Sequence, residues 1–245
     1  MERLVVESLN HSFGFTEILK NINFELNQGE VLSIVGPSGG GKTTLLHLCA
    51  GLLDVEEGEI KNSFQSSAFT FQESRLLPWK NVIDNIALGL LAKGADKNEA
   101  LEKSQQIAIQ FGLETKDFYK FPKDLSGGMK QRVSFSRALV IKPSLLFLDE
   151  PFSALDIGLK QELQNHLIKL IHQKALTILF ITHDLMEAIR LSDRILLLKA
   201  EQGRIVKHFK YKLPQIQRDN EYVYKESAKI LLDKKIIETF ELAVK

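Results

Sequence analysis

Three stretches of the chain share one hydropathy pattern. "EVLSIVG" (30–36), "SLLFLDE" (144–150) and "ALTILFITHD" (175–184) are short apolar runs that each stop abruptly in polar residues. Continuous apolar runs separated by helical stretches predict strands buried on both faces, as in a parallel sheet. Ligands of such sheets gather at the carboxyl ends of the strands. Here those ends carry Gly36, Asp149, Glu150 and His183.

The pattern changes between about Leu76 and Val140. "NEALEKSQQIAIQFGL" spaces Leu101, Ile107 and Phe111 among polar residues at a helical period, and no core strand is evident nearby. The reading is a helical subdomain, residues 76–140, inserted into an α/β core made of 1–75 and 141–245. Near the C-terminus Val223, Ile230 and Ile237 recur at seven-residue steps, with Phe240 three further on. They predict one face of an amphipathic helix, docked on the core rather than forming a coiled coil because the repeat is short.

Composition narrows the class. At 44% hydrophobic and 26% charged residues, the 245-residue chain has the balance of a globular protein with room for a sizeable core. A net charge of +1 gives no basic surface for nucleic acid. The single cysteine, Cys49, excludes an intrachain disulfide and a multi-cysteine zinc site. It sits in the apolar "TLLHLCAGLL" and reads as a buried structural thiol, which fits a reducing compartment. Glu2 and Glu7 in "MERLVVESLN" argue against a secretion leader, and no window is apolar enough to span a membrane.

"GPSGGGKT", from Gly36 to Thr43, fits G-x-x-x-x-G-K-[ST] between a predicted strand and a predicted helix. Glycines at Gly36, Gly39, Gly40 and Gly41, with Pro37, Ser38 and Thr44 in the same loop, let backbone amides wrap phosphate oxygens. Lys42 reaches the β- and γ-phosphates, and the Thr43 hydroxyl joins a Mg²⁺ shell. At the end of "SLLFLDE", Asp149 is placed for the metal and Glu150 for polarising water as a general base. Together these indicate a P-loop NTPase with Mg²⁺, without saying which kind.

"LSGGMKQR", Leu125 to Arg132, reads as a helix start capped by Ser126, with Gly127 and Gly128 freeing amides. It lies just before "SLLFLDE", and other motifs surround it. Taken together the chain resembles the ATP-binding cassette (ABC) ATPases over most of its length. Residues 125–132 look like the family signature. Gln72, in "FTFQES", matches its glutamine loop, and "SALD" (153–156) matches its D-loop, with Asp156 as the acid. His183 matches its switch histidine, and Phe13 lies where the family places an aromatic on adenine, with Phe15 a near alternative.

The resemblance implies a head-to-tail dimer with ATP between the P-loop of one copy and the signature of the other. Lys42, Asp149, Glu150 and His183 then act from one chain, and Ser126, Gly127 and Gly128 from its partner. His183 holds the γ-phosphate and the attacking water in line, while Gln72 contacts the metal and reports occupancy to the transport partner. "LLPW" (76–79) looks like nitrate, sulfonate, taurine and thiamine-pyrimidine-precursor importers, where it receives a helix of the permease. That implies a peripheral subunit on the cytoplasmic membrane face, with a permease and an external substrate-binding protein. A soluble ABC ATPase of repair, translation or cluster assembly is the alternative. One departure stands out. Lys42 and Gln72 are only 30 residues apart, so the antiparallel β-subdomain is expected to be trimmed. The fold class is thus a P-loop α/β cassette with a mostly parallel core sheet, a trimmed β-subdomain and an inserted helical subdomain.

Overall fold

The computed structural model describes residues 2–153, 155–173, 176–201 and 203–242. Two long strands open the chain, β1 (Arg3–Phe13) and β2 (Thr16–Asn27), paired antiparallel. Side chains along β2 alternate between buried and exposed, so one face of this pair covers the core and the other meets solvent. The next strand, β3 (Val31–Val35), is buried at every position and leads through the glycine loop into α1 (Lys42–Cys49).

Then β4 (Glu57–Asn62) pairs with β1, and β5 (Ser67–Thr70) enters the second sheet. The β-subdomain is therefore a three-stranded sheet in the order β2-β1-β4. From β4 the chain reaches β5 of the core sheet through residues 63–66, a short link in keeping with the short Lys42–Gln72 spacing.

Helices follow: α2 (Val82–Ala92), α3 (Lys97–Gln110) and α4 (Gly127–Leu139), with two short 3₁₀ turns between α3 and α4. They share a small core in which Val82, Ile83, Ile86, Ala100, Leu113 and Val133 are buried. The chain then returns as β6 (Leu145–Asp149), α5 (Ile157–His172), β7 (Thr177–Thr182), α6 (Leu185–Leu191), β8 (Arg194–Lys199) and β9 (Arg204–Lys210).

The six-stranded sheet has the order β5-β6-β7-β3-β8-β9. All neighbours are parallel except the β8–β9 pair. The three apolar runs are thus adjacent central strands. Register aligns their ends: Asp149 lies opposite Ile181, and Val35 opposite Thr182. The residues after each strand therefore emerge side by side on one edge. Apolar layers cover both sheet faces, one holding α1 and the β-subdomain, the other α4 and α5. Cys49 lies buried and free in the first, and burial pushes its thiol far above the ordinary range.

The C-terminal helix differs from expectation. It is two helices, α7 (Asn220–Leu231) and α8 (Lys234–Phe240). Asp233 stops the first and caps the second by accepting a hydrogen bond from the Lys235 amide. The break shifts the register, so Ile236 rather than Ile237 is buried beside Val223 and Ile230. All three dock with Ile195 and Leu197 of β8 in one core cluster. Among the described residues no helix is long and apolar enough to cross a membrane.

Candidate functional site

The glycine loop connects the end of β3 to α1 and is shaped by close contacts. A Cβ on Gly36 would lie 2.3 Å from the Leu198 carbonyl oxygen, so only glycine fits beside β8. Gly41, at φ 83°, is the left-handed cap of α1. Among the described residues, the first backbone bond into α1 is donated by the Leu45 amide to Gly41. The amides of Lys42, Thr43 and Thr44 are left pointing out of the helix start, an arrangement suited to phosphate oxygens.

Lys42 folds back over the loop and donates to the carbonyls of Gly36 (2.9 Å) and Pro37 (2.8 Å). Burial pulls its ammonium below the ordinary range, and the carboxylates of Glu150 and Asp149 pull the other way. Ser38, Gly39, Lys42, Thr43, Gln72 and Glu150 line one cavity of about 380 Å³. Gly40 closes the turn by donating its amide to Pro37.

The Thr43 hydroxyl donates to Asp149 Oδ1 at 3.3 Å. Asp149 is buried, which pushes its carboxyl above the usual range against the Thr43 bond. A hydroxyl and a carboxylate side by side are hard oxygen donors of the kind Mg²⁺ takes together with phosphate oxygens. The described residues contain no cluster of three or more His, Cys, Asp or Glu that could hold a metal unaided. Any cation here would depend on the nucleotide for its remaining ligands, and the donor set fits that.

Glu150 follows in a left-handed conformation, φ 42°, its amide donating to the Ile181 carbonyl. That turn aims the carboxylate into the cavity, where Oε2 stands 3.0 Å from His183 Nδ1. The β6 and β7 ends thus bring Glu150 and His183 into contact, as their order in the sheet requires.

The predicted residues do not all meet in this cavity. Ser126 caps α4 by accepting from the Met129 amide at 3.3 Å, with Gly127 and Gly128 in the first turn. Ser126, Gly128, Arg132, Asp156 and Leu159 line a different cavity of about 650 Å³. Among the described residues none lines both cavities. Asp156 also caps α5, accepting from the Leu159 amide. Ala154 of "SALD" lies outside the described residues. Phe13 packs edge-on to His11 at 4.8 Å and is 53% exposed, while Phe15 is fully exposed; neither lines the glycine-loop cavity.

The structure adds positions to which sequence reasoning gave no role. Gln131 of α4 donates to the carbonyl of Pro151, directly after Glu150 (2.9 Å). Arg137, one and a half turns on, donates to the carbonyls of Ser74 and Arg75, just after Gln72 (2.7 and 2.9 Å). Asn85 is fully buried and holds Leu77, Lys80 and Asn81. The one sequence cue was Asn85 itself, a polar residue in the apolar run "NIALGLL".

Comparison with known proteins agrees with this geometry. Residues 19–153 match the ABC transporter family. An aliphatic sulfonates import ATP-binding protein of Bacillus cereus is 40% identical over 93% of this chain and 90% of its own. One from Corynebacterium glutamicum is 39% identical over 92% and 91%. A dimeric ATP-binding cassette solved in a post-hydrolysis state with ADP and Pi superimposes with a TM-score of 0.76 at 29% identity, covering 84% of this chain and 98% of that one. The cbiO1 protein of Clostridium perfringens, part of the transporter complex cbiONQ, gives 0.75 at 26% identity, covering 98% of each. With a family match over more than half its length and relatives aligned nearly end to end, the chain belongs to the ABC transporter family, as an ATP-binding cassette.

Proposed function

We propose that this cassette is the energy-coupling ATPase subunit of an importer, hydrolysing ATP to ADP and phosphate to drive a separate permease. The observation that carries the reading is the meeting of Lys42, Thr43, Asp149, Glu150 and His183 at the ends of three adjacent parallel strands. The relatives named as sulfonate import ATP-binding proteins support import of a small sulfonate-like solute.

In this reading the amides of the glycine loop, from Gly36 through Thr44, cradle the phosphates, and Lys42 swings from the Gly36 and Pro37 carbonyls onto the β- and γ-phosphates. Thr43, Asp149 and Gln72 would hold Mg²⁺, which neutralises charge on the phosphates when bound. Glu150 takes the proton of the attacking water, and His183 keeps that water and the γ-phosphate in line. Phe13, with Phe15 the near alternative, would stack on adenine.

Ser126, Gly127, Gly128 and Asp156 would act in the site of a second copy, a reading supported by Ser126, Gly128 and Asp156 lining a cavity separate from their own glycine loop. Residues 76–140 act as a helical subdomain carried on a core of 1–75 and 141–245. Trp79, 70% exposed beside the Gln72 loop, supports a permease-docking role for the "LLPW" corner. The subunit would sit on the cytoplasmic face of the membrane, with an external substrate-binding protein delivering solute.

Glu150→Gln tests the reading. It should leave ATP binding intact, accumulate an ATP-bound dimer and lower hydrolysis by about 10²-fold to 10⁴-fold. Turnover near that of the wild type would remove Glu150 as the base.

A further inference from the structure

We infer that Lys160 is a positioning residue for His183, holding the backbone on both sides of that histidine through one shared ammonium. The inference rests on the role proposed above for His183, and deepens it.

His183 has little to orient it directly. Its side chain is 53% exposed, and its only side-chain hydrogen bond among the described residues is the one to Glu150. An exposed ring with one side-chain contact takes its direction from the backbone that carries it. Losing that direction is costly in a reaction that depends on alignment, because a displacement of about 1 Å can cost about 10²-fold in rate.

That backbone is fixed from one point. Lys160 Nζ lies 2.7 Å from Asp184 Oδ2 and 2.6 Å from Glu187 Oε1. Asp184 follows His183 directly. Thr182, which precedes it, donates its hydroxyl to Glu187 Oε2 at 2.6 Å and accepts the Asp184 amide at 3.0 Å. Asp184 Oδ1 also caps α6 through the amides of Met186 and Glu187. Both neighbours of His183 thus lead, in one or two bonds, to Lys160.

The electrostatics make the cation necessary. Glu187 is 4% exposed, and burial pushes its carboxyl up, against the opposing pull of Lys160 and Thr182. Burial is the largest single effect and acts to raise the Asp184 carboxyl, but the hydrogen bond and charge of Lys160, joined by the Glu187 and Met186 amides, together outweigh it and the group stays below its ordinary range. Two carboxylates this close repel each other unless a cation lies between them. Without Lys160, Glu187 would be left as an uncompensated buried charge, and the loop around His183 would lose its anchor.

The anchor's own position is informative. Lys160 is one turn into α5, its amide donating to the carbonyl of Asp156 at 3.0 Å. Asp156 lines the other cavity, with Ser126 and Gly128. The same short segment therefore lines the signature-side cavity and, through Asp184 and Glu187, holds the backbone beside the histidine of the glycine-loop side. Lys160 is placed to carry a displacement at one into the orientation of the other.

The test compares Lys160→Met, Lys160→Arg and Asp184→Asn in the full chain, with His183→Ala as a control. Asp184→Asn keeps an oxygen to cap α6, so it serves if Lys160→Met folds poorly. We expect kcat to fall about tenfold or more in Lys160→Met with ATP affinity changed less than about twofold, and Lys160→Arg to recover most of it. The imidazole resonances of His183, assigned with His183→Gln, should shift in Lys160→Met and return in Lys160→Arg. A folded Lys160→Met with wild-type kcat and unchanged His183 resonances overturns the inference. So does a loss of ATP binding that matches the loss of kcat. An undiminished ATPase in His183→Ala would instead overturn the role of His183 itself, which separates the two failures.

Discussion

Glu150 and His166 show opposite uses of a single residue's surroundings. A non-glycine residue at φ 42° is strained, and such strain persists only where neighbours enforce it. At Glu150 the Ile181 carbonyl accepts its amide, while the Ser153 amide and hydroxyl donate to its carbonyl. The strain is thus fixed at the residue whose carboxylate lines the cavity. His166, by contrast, lies against Phe111 with ring centroids 4.3 Å apart. Burial, and then Lys169, pulls its imidazole below the ordinary 6.5. In the unfolded chain it protonates first, so between its two pKa values the unfolded state holds more protons. The contribution of His166 to stability is therefore present above about pH 6.5 and is lost as the pH falls below that value. Urea unfolding between about pH 7.5 and 5.5 should show this fall, with His166→Phe reducing the slope by at most about 1.4 kcal/mol per pH unit. Identical slopes for the two proteins would contradict the assignment.

At the scale of elements, the decisive contacts are polar side chains that hold backbone across a gap in sequence. Asn85 of α2 accepts the Leu77 amide and donates to the carbonyls of Leu77, Lys80 and Asn81. It thereby fixes the corner that presents Trp79. Asn85→Leu keeps the volume and strands those groups, so it should cost about 1–3 kcal/mol and lower Tm by roughly 2–12 °C. Trp79 is the chain's only tryptophan, and its fluorescence should become easier to quench with acrylamide. Unchanged quenching with lowered Tm would separate Asn85 from the corner. These contacts mark what could be read in advance. The strands β3, β6 and β7 were legible because each is one continuous apolar run, and the glycine loop because its residues are contiguous. The break at Asp233 was not, because a seven-residue repeat does not reveal a cap that restarts the helix one residue out of phase. Nor were Arg137 and Lys160, whose partners lie 63 and 24 residues away. Only the packed fold brings such pairs together.

For the whole molecule, the separation of the two cavities is the main constraint. The glycine loop and Gln72 line one, while Ser126, Gly128 and Asp156 line the other. Two helix starts suited to phosphate, held apart in one chain, make sense in a symmetric pair where each completes its partner's site. Gln131 and Arg137 strengthen this view. They tie the helix that begins at Gly127 to the segments just after Glu150 and Gln72 of the same chain. In the proposed reading, a phosphate held at the start of α4 would be linked mechanically to the other site. The arrangement is tested by spoiling the helix start alone. Ser126→Arg puts a bulky cation at the positive end of α4 but leaves the glycine loop untouched. In a Glu150→Gln background, monomers carrying it should bind ATP within about threefold of the parent, as expected when distant sites act independently. They should also fail to form the ATP-dependent dimer in sedimentation velocity. If the dimer forms undiminished, α4 does not complete a partner's site, and the second cavity needs another explanation.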